Sequence, residues 1–107
     1  MLLSTKEILG FKIRATNGDI GEVADFLVDD QFKLRYLVID TGGWLSGKQV
    51  MLSTAWISSV DVENQTVVMN IYKKRIEEGP DYSGEHILDR DYETRLHAHY
   101  QYPPYWL

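Results

Sequence analysis

The sequence contains no cysteine, which excludes disulfide bonds, thiolate metal sites and cysteine nucleophiles. It has no apolar run approaching the roughly 20 residues of a transmembrane helix and no recognisable signal peptide, so we expect no membrane insertion. A net charge of -5 provides no basic excess, and direct nucleic-acid binding depends on clustered Lys and Arg. These absences together predict a cytoplasmic protein that does not bind nucleic acid directly.

The sequence also lacks a constellation of residues suited to catalysis. Most carboxylates flank turns, where Asp side chains accept hydrogen bonds from the local backbone. Asp25 and Asp40 lie inside apolar segments, and we expect them to accept hydrogen bonds from the backbone or from Arg14, Arg35 or Lys48. General acid–base chemistry requires two titratable groups that converge in a cleft. We therefore predict no enzyme, no catalytic residue and no cofactor.

The most informative segment that is present runs from Leu34 to Asp40, with the sequence LRYLVID. Its β-branched, aromatic and aliphatic residues favour an extended strand. Apolar residues occupy both odd and even positions of the segment, whereas a half-exposed strand would alternate between apolar and polar residues. The pattern predicts a central strand that is covered on both faces.

Short strands separated by turn residues occupy the first 71 residues. Asn17-Gly18 predicts a type I′ hairpin turn, and Gly21 predicts a bulge or a close backbone approach. At 107 residues the chain has room for one domain. Six strands with apolar residues on both faces predict a mainly β fold, a small antiparallel β-barrel that closes on itself. The predicted strands cover about residues 11–16, 20–28, 34–40, 48–52, 55–61 and 66–71.

The pattern changes after residue 71. Residues 73–78 predict a short helix, and a second helix is predicted over about residues 90–100, with Asp89 as its N-cap. Its amphipathic stripe would consist of Leu88, Tyr92, Leu96 and His99 or Tyr100. An extended aromatic tail follows. We divide the chain into a barrel over residues 1–80 and a C-terminal helix and tail over residues 81–107.

Aromatic residues are concentrated in this C-terminal part, unlike in disordered tails. We expect it to dock either on its own barrel or on a second copy of the chain. Trp44, in a glycine-rich connection, either closes one end of the core or serves as an exposed anchor for a partner. The candidate interaction residues are Trp44, Tyr92, Leu96, His99, Tyr102, Tyr105 and Trp106.

Three histidines raise the question of a metal site. His97 and His99 are two residues apart, which directs them about 200° from each other on a helix. Metal-binding pairs on a helix are spaced by three or four residues, and His86 precedes the helix. We therefore predict no metal ligand, and we expect a solvated His97 and a partly buried, hydrogen-bonded His99.

Several segments resemble a known family when they are taken in order. The chain reads NGDIGEVADFLVD over residues 17–29, YLVID over residues 36–40 and GGWL over residues 42–45. This succession resembles PRC-barrel domains, which are named after the cytoplasmic domain of the photosynthetic reaction centre H subunit. The resemblance covers about residues 3–80. It implies a six-stranded β-barrel used for assembly, and it brings no catalytic residues.

These observations lead to a first hypothesis and two rivals. The first is a non-enzymatic protein–protein interaction module that forms a homodimer, with the helix and tail either at the interface or clamping the barrel. A different class is a small-ligand or metal sensor that uses His86, His97 and His99. The third is an accessory protein of the ribosome or of RNA processing that binds a protein surface. The partner is not identified by the sequence.

Overall fold

The computed structural model describes residues 2–83 and 90–107. Two short 3-10 helices, Gly42–Leu45 and Thr54–Trp56, precede and follow the fourth strand, Gln49–Ser53. Within the described residues, no helix is both long enough and apolar enough to cross a membrane. The helices and strands in chain order are α1 (Thr5–Ile8), β1 (Lys12–Ala15), β2 (Gly18–Val28), β3 (Leu34–Asp40), β4 (Gln49–Ser53), β5 (Ile57–Asp61), β6 (Thr66–Met69), α2 (Lys73–Glu77) and α3 (Arg90–Tyr100).

The six strands form one sheet in the order β4-β3-β2-β1-β6-β5, which confirms the mainly β prediction. The expectation of an antiparallel, closed barrel is wrong. Strands β1 and β6 pair in parallel, and no pairing joins β4 to β5 in residues 2–83 and 90–107. The sheet is mixed because the 3-10 turn Thr54–Trp56 does not reverse the chain. Strands β4 and β5 therefore run in the same direction, and β6 returns parallel to β1.

The sheet is nevertheless strongly curled. Its two edge strands are consecutive in the chain, and only four residue steps separate Ser53, the end of β4, from Ile57, the start of β5. Four steps span at most about 14 Å, whereas the edges of a flat six-stranded sheet lie about 24 Å apart. The sheet therefore bends strongly, and its two edges approach each other at this corner.

The central strand is covered on both faces, as its sequence predicts. Tyr36, Leu37, Val38 and Ile39 of β3 are all buried, with at most 3% of each side chain exposed. Strands β2 and β4 pair with β3 on its two sides. The buried run explains why no polar residue interrupts this part of the sequence.

The hairpin between β1 and β2 is confirmed, although its turn differs from the prediction. Ala15 pairs with Gly18, so Thr16 and Asn17 form the loop, and neither has the positive φ of a type I′ turn. The side-chain oxygen of Asn17 instead accepts a hydrogen bond from the backbone N–H of Lys73 at the start of α2. The hairpin loop therefore holds the beginning of the first helix that follows the sheet.

Helix α3 packs against the hydrophobic core of the sheet. Its buried face consists of Glu93, Leu96, His97 and Tyr100, and Leu96 and Tyr100 join the same hydrophobic core as Trp56. The helix prediction over residues 90–100 is confirmed, but the buried stripe is rotated toward Glu93 and His97. The predicted N-cap at Asp89 and the stripe position at Leu88 lie outside the described residues.

Candidate functional site

A cleft of about 450 Å³ opens where the tail passes the end of the β2–β3 hairpin. We call it the tail cleft. The β2–β3 hairpin, α3 and the tail contribute its lining, and we call the polar group of Tyr36, Glu93 and Tyr105 its floor. Its lining residues are Leu27, Val28, Asp29, Asp30, Arg35, Tyr36, Tyr82, Arg90, Glu93 and Tyr105.

The buried carboxylate of Glu93 organises the floor of the tail cleft. One of its oxygens, Oε1, accepts hydrogen bonds from the hydroxyls of Tyr36 at 2.7 Å and Tyr105 at 2.9 Å. Only 8% of Glu93 is exposed, and a buried carboxylate requires such partners. Burial, and then the hydrogen bond to Glu93, raises the pKa of both tyrosines above the usual value. Both therefore stay protonated and continue to donate at neutral pH.

His97 extends this network into the core. Its Nε2 lies 3.0 Å from the Tyr36 hydroxyl, which already donates its single proton to Glu93, so Nε2 must be the donor. Its Nδ1 is buried without a hydrogen-bond partner in the described part of the chain. Burial lowers the pKa of His97. The imidazole is consequently neutral in the folded state at neutral pH.

Two arginines at the cleft are held by aromatic rings and carboxylates. The Arg35 guanidinium donates to Asp29 Oδ2 at 2.7 Å and lies 4.0 Å from the centre of the Tyr105 ring. The Arg90 guanidinium lies 3.8 Å from the centre of the Trp106 ring, and its Nε is 3.7 Å from Glu93. Each cation lies over an aromatic face, the arrangement of a cation–π contact. They therefore support the shape of the cleft wall.

The hairpin end beside the cleft is a hydrogen-bonded loop that presents an aromatic side chain. We call Asp29–Lys33 the hairpin tip. Asp29 Oδ1 accepts hydrogen bonds from the backbone N–H groups of Gln31 and Lys33, and the Asp29 backbone N–H donates to the Lys33 carbonyl. The hydrogen bond from Arg35 is the main cause that lowers the pKa of Asp29. Phe32 at the tip is 89% exposed and has a φ of 62°.

The tail candidates predicted from the sequence all contact the chain's own sheet and helices. Leu96 is fully buried, and Tyr102 stacks on Trp56 at 5.3 Å between ring centres. The Tyr92 hydroxyl donates to the Asp81 carbonyl, and Trp106 packs edge-on against His97. Docking on the chain's own barrel is thus the arrangement in this structure. A role of these residues in binding a partner stays a prediction.

Trp44 packs against the core, in line with the first of its two interpretations. Its indole Nε1 donates to the Ile20 carbonyl at 2.7 Å, and the half-buried ring packs against the core. The Lys73 ammonium lies 4.8 Å from the ring centre. The side chain therefore joins the turn after β3 to strand β2.

The two described histidines have different environments. The expectation of a solvated His97 is wrong, because the side chain is 4% exposed and lies on the buried face of α3. His99 is half-buried, and its Nε2 donates to the Arg75 carbonyl at 2.7 Å, as expected for a hydrogen-bonded histidine. Among residues 2–83 and 90–107, no three His, Asp or Glu side chains are grouped so that they could hold a metal ion. His86 lies outside the described residues.

Asp25 and Asp40 are both exposed, and both accept hydrogen bonds from the local backbone. Asp25 Oδ1 accepts from the Phe26 N–H at 2.7 Å, and Asp40 Oδ1 accepts from the Gly42 N–H at 3.0 Å. The expectation of backbone partners is confirmed. The two carboxylates serve the strand and the turn in which they lie.

The sequence alone does not identify Tyr36, Glu93 or Phe32 as site residues. Glu93 precedes Leu96 and His97 by three and four residues, so helical spacing places all three on one face. Phe32 is a large aromatic residue in an otherwise polar turn, which is itself a signal. No sequence pattern predicts the hydrogen bond between Tyr36 and Glu93, since 57 positions separate them.

The fold is thus a curled six-stranded mixed sheet with a helix and an aromatic tail docked on it. Residues 2–76 match the PRC-barrel domain family. The match covers more than half of the chain, which therefore belongs to this family, as its resemblance implied. No curated protein matches the chain at a significant level. Helix α3 and the tail lie beyond the matched residues.

Proposed function

We propose that this chain is a non-enzymatic, cytoplasmic protein–protein interaction module and that it forms a homodimer. The observation that carries the proposal is the hairpin tip. It holds a nearly fully exposed phenylalanine on a hydrogen-bonded loop beside a preformed cleft. Exposed aromatic residues on rigid supports are the usual anchors of protein interfaces.

The chemistry of the tail cleft supports a role in binding and not in catalysis. The polar groups on its floor bond mainly to one another, because Glu93 accepts from two tyrosines and Tyr36 also contacts His97. A general base needs an acceptor aimed at a substrate proton. The same network fixes the shape of the cleft wall, which favours recognition of a protein surface.

Sedimentation equilibrium of the full chain across the micromolar range tests the homodimer. We expect the apparent mass to rise from 12.4 kDa toward twice that value as the concentration increases. The matched control is the same series in strong salt, because an interface with an apolar centre keeps most of its affinity when charges are screened. A mass of 12.4 kDa at every concentration would contradict the proposed homodimer.

A further inference from the structure

We infer that the Phe32 side chain of one copy inserts into the tail cleft of a second copy, and that the second copy returns the same contact. The inference rests on the proposed homodimer and names its interface. It commits to one occupant for the cleft, which is the tip of an identical chain.

The backbone of Phe32 lies in the left-handed region, which is uncommon for residues other than glycine, asparagine and aspartate. A large aromatic residue in that conformation is strained, and such strain is concentrated at functional sites. The Asp29 side chain and backbone hold the loop in place. The backbone of Phe32 is therefore held in place, so little backbone entropy is lost when the side chain binds.

The tail cleft has the walls that an aromatic side chain needs. Leu27 and Val28 line the hairpin side, and the rings of Tyr82 and Tyr105 line the other parts. The volume of about 450 Å³ lies within the range of ordinary small-ligand pockets, so one phenyl ring fits. The Tyr105 hydroxyl already donates to Glu93, so a phenyl ring would not deprive it of a partner.

The tip and the cleft are adjacent on one face of the molecule. Asp29 and Asp30 belong to both, since they form part of the tip and also line the cleft. A twofold axis beside this face brings each tip to the partner's cleft, and both contacts form at once. Such a self-complementary arrangement closes at two copies and leaves no unpaired cleft to extend a filament.

The charge of this face suits contact with an identical face. The whole chain carries a net charge of -5, which would repel a second copy. Around the tip and cleft, three basic side chains accompany three acidic ones, so their formal charges cancel. The basic residues are Lys33, Arg35 and Arg90, and the acidic residues are Asp29, Asp30 and Glu93.

The area of the contact sets the expected strength of the dimer. Two phenylalanine side chains bury roughly 300–500 Å², whereas a specific interface buries about 1,200–2,000 Å² in total. Val28, which is 57% exposed, and the tyrosines of the cleft rim must supply part of the remainder. We therefore expect a dimer that dissociates on dilution and depends strongly on Phe32.

Phe32→Asn is the primary test. Asparagine accepts the left-handed backbone more readily than phenylalanine, so the melting temperature of the monomer should stay the same or rise. The dimer loses two aromatic anchors, and we expect its dissociation constant to increase by about 100-fold or more. The matched control is Leu2→Asn, since Leu2 is 99% exposed and lies outside this face. It should leave the dissociation constant unchanged.

A mixing experiment tests the reciprocal arrangement. Val28→Glu places a charge in the cleft wall, so it should weaken the homodimer as Phe32→Asn does. A mixture of the two variants can form one intact contact, between Phe32 of the Val28→Glu chain and the unaltered cleft of the Phe32→Asn chain. Differently tagged variants should therefore associate more tightly with each other than either does with itself.

The outcomes separate the inference from the proposed function. A wild-type dimer that survives Phe32→Asn unchanged would overturn the inference and leave the homodimer standing. If Val60→Lys on the outer edge of β5 abolished that dimer instead, pairing of β5 edges would replace the tip contact. A mixture no tighter than either variant alone would also overturn it. A wild-type chain that remains monomeric would overturn both proposals.

Discussion

Gly21 lies where β2 passes close to the end of β3. Its φ is 144°, and a Cβ atom added there would lie 2.8 Å from the carbonyl carbon of Asp40, in conflict with its backbone. We expect Gly21→Ala to lower the free energy of unfolding by about 3 kcal/mol or more. Urea denaturation measures the change.

Gly43→Ala is the control for this prediction. Gly43 has no atom within 4 Å of an added Cβ and no positive φ, so the change in stability should stay below about 1 kcal/mol. Equal effects of the two substitutions would contradict the proposed close approach. The sequence predicted a bulge or a close backbone approach at Gly21, and the close approach is confirmed, but the sequence did not identify Asp40 as the neighbour.

His97 makes stability depend on pH in a defined window. Burial lowers its pKa in the folded state below the ordinary value of 6.5, so the unfolded chain takes up a proton first. Stability is therefore fully present above about pH 6.5 and decreases as the pH falls below it. Glu93 and Tyr36 are the titratable groups that face the imidazole.

His97→Gln should lower stability at neutral pH and reduce this slope between about pH 7 and pH 5. Urea titrations of the variant and the wild type at several pH values measure it. The carboxylates with lowered pKa, Asp29 and Asp61, contribute mainly near and below pH 4, outside this window. An unchanged slope would show that His97 is not protonated on unfolding in this range.

At the scale of elements, α3 is attached to the sheet through Leu96. This side chain is fully buried in the core, so Leu96→Ala removes a well-packed group and leaves a cavity. We expect a loss of about 2–5 kcal/mol in the free energy of unfolding. The control is Thr94→Ala on the exposed face of the same helix, which should change stability by no more than about 0.5 kcal/mol.

The elements also show where the sequence is informative and where it is not. The residues of β3 predict a strand covered on both faces, and the bounds of α3 follow from its helical pattern. The parallel pairing of β1 with β6 could not be predicted, because it depends on the turn Thr54–Trp56 failing to reverse the chain. The rotated buried stripe of α3 depends on Tyr36, a partner far away in sequence.

At the scale of the whole molecule, the hydrophobic core extends beyond the residues that match the family. Residues 2–76 contain the sheet, but Leu96 and Tyr100 complete the core against Trp56 and Ile76. Removing α3 and the tail uncovers several large side chains, each worth about 1.5–3 kcal/mol. The summed loss approaches the free energy of unfolding of an entire domain, which is about 5–15 kcal/mol.

A chain that ends at Ser83 should therefore lose its cooperative thermal transition and bind a hydrophobic dye. Calorimetry and dye fluorescence measure the two effects. The control lacks only Leu107, which is 91% exposed and should be dispensable for stability. A shortened chain that melts as sharply and at the same temperature as the full chain would contradict the role of the tail in the core.

The position of α3 after all six strands has a consequence for biosynthesis. A ribosome releases the sheet-forming residues before those that cover Trp56 and Ile76, because chains emerge from the N-terminus. Nascent chains therefore pass through a stage in which the strands can pair while their open side is still bare. That stage is where chaperone binding would protect them most.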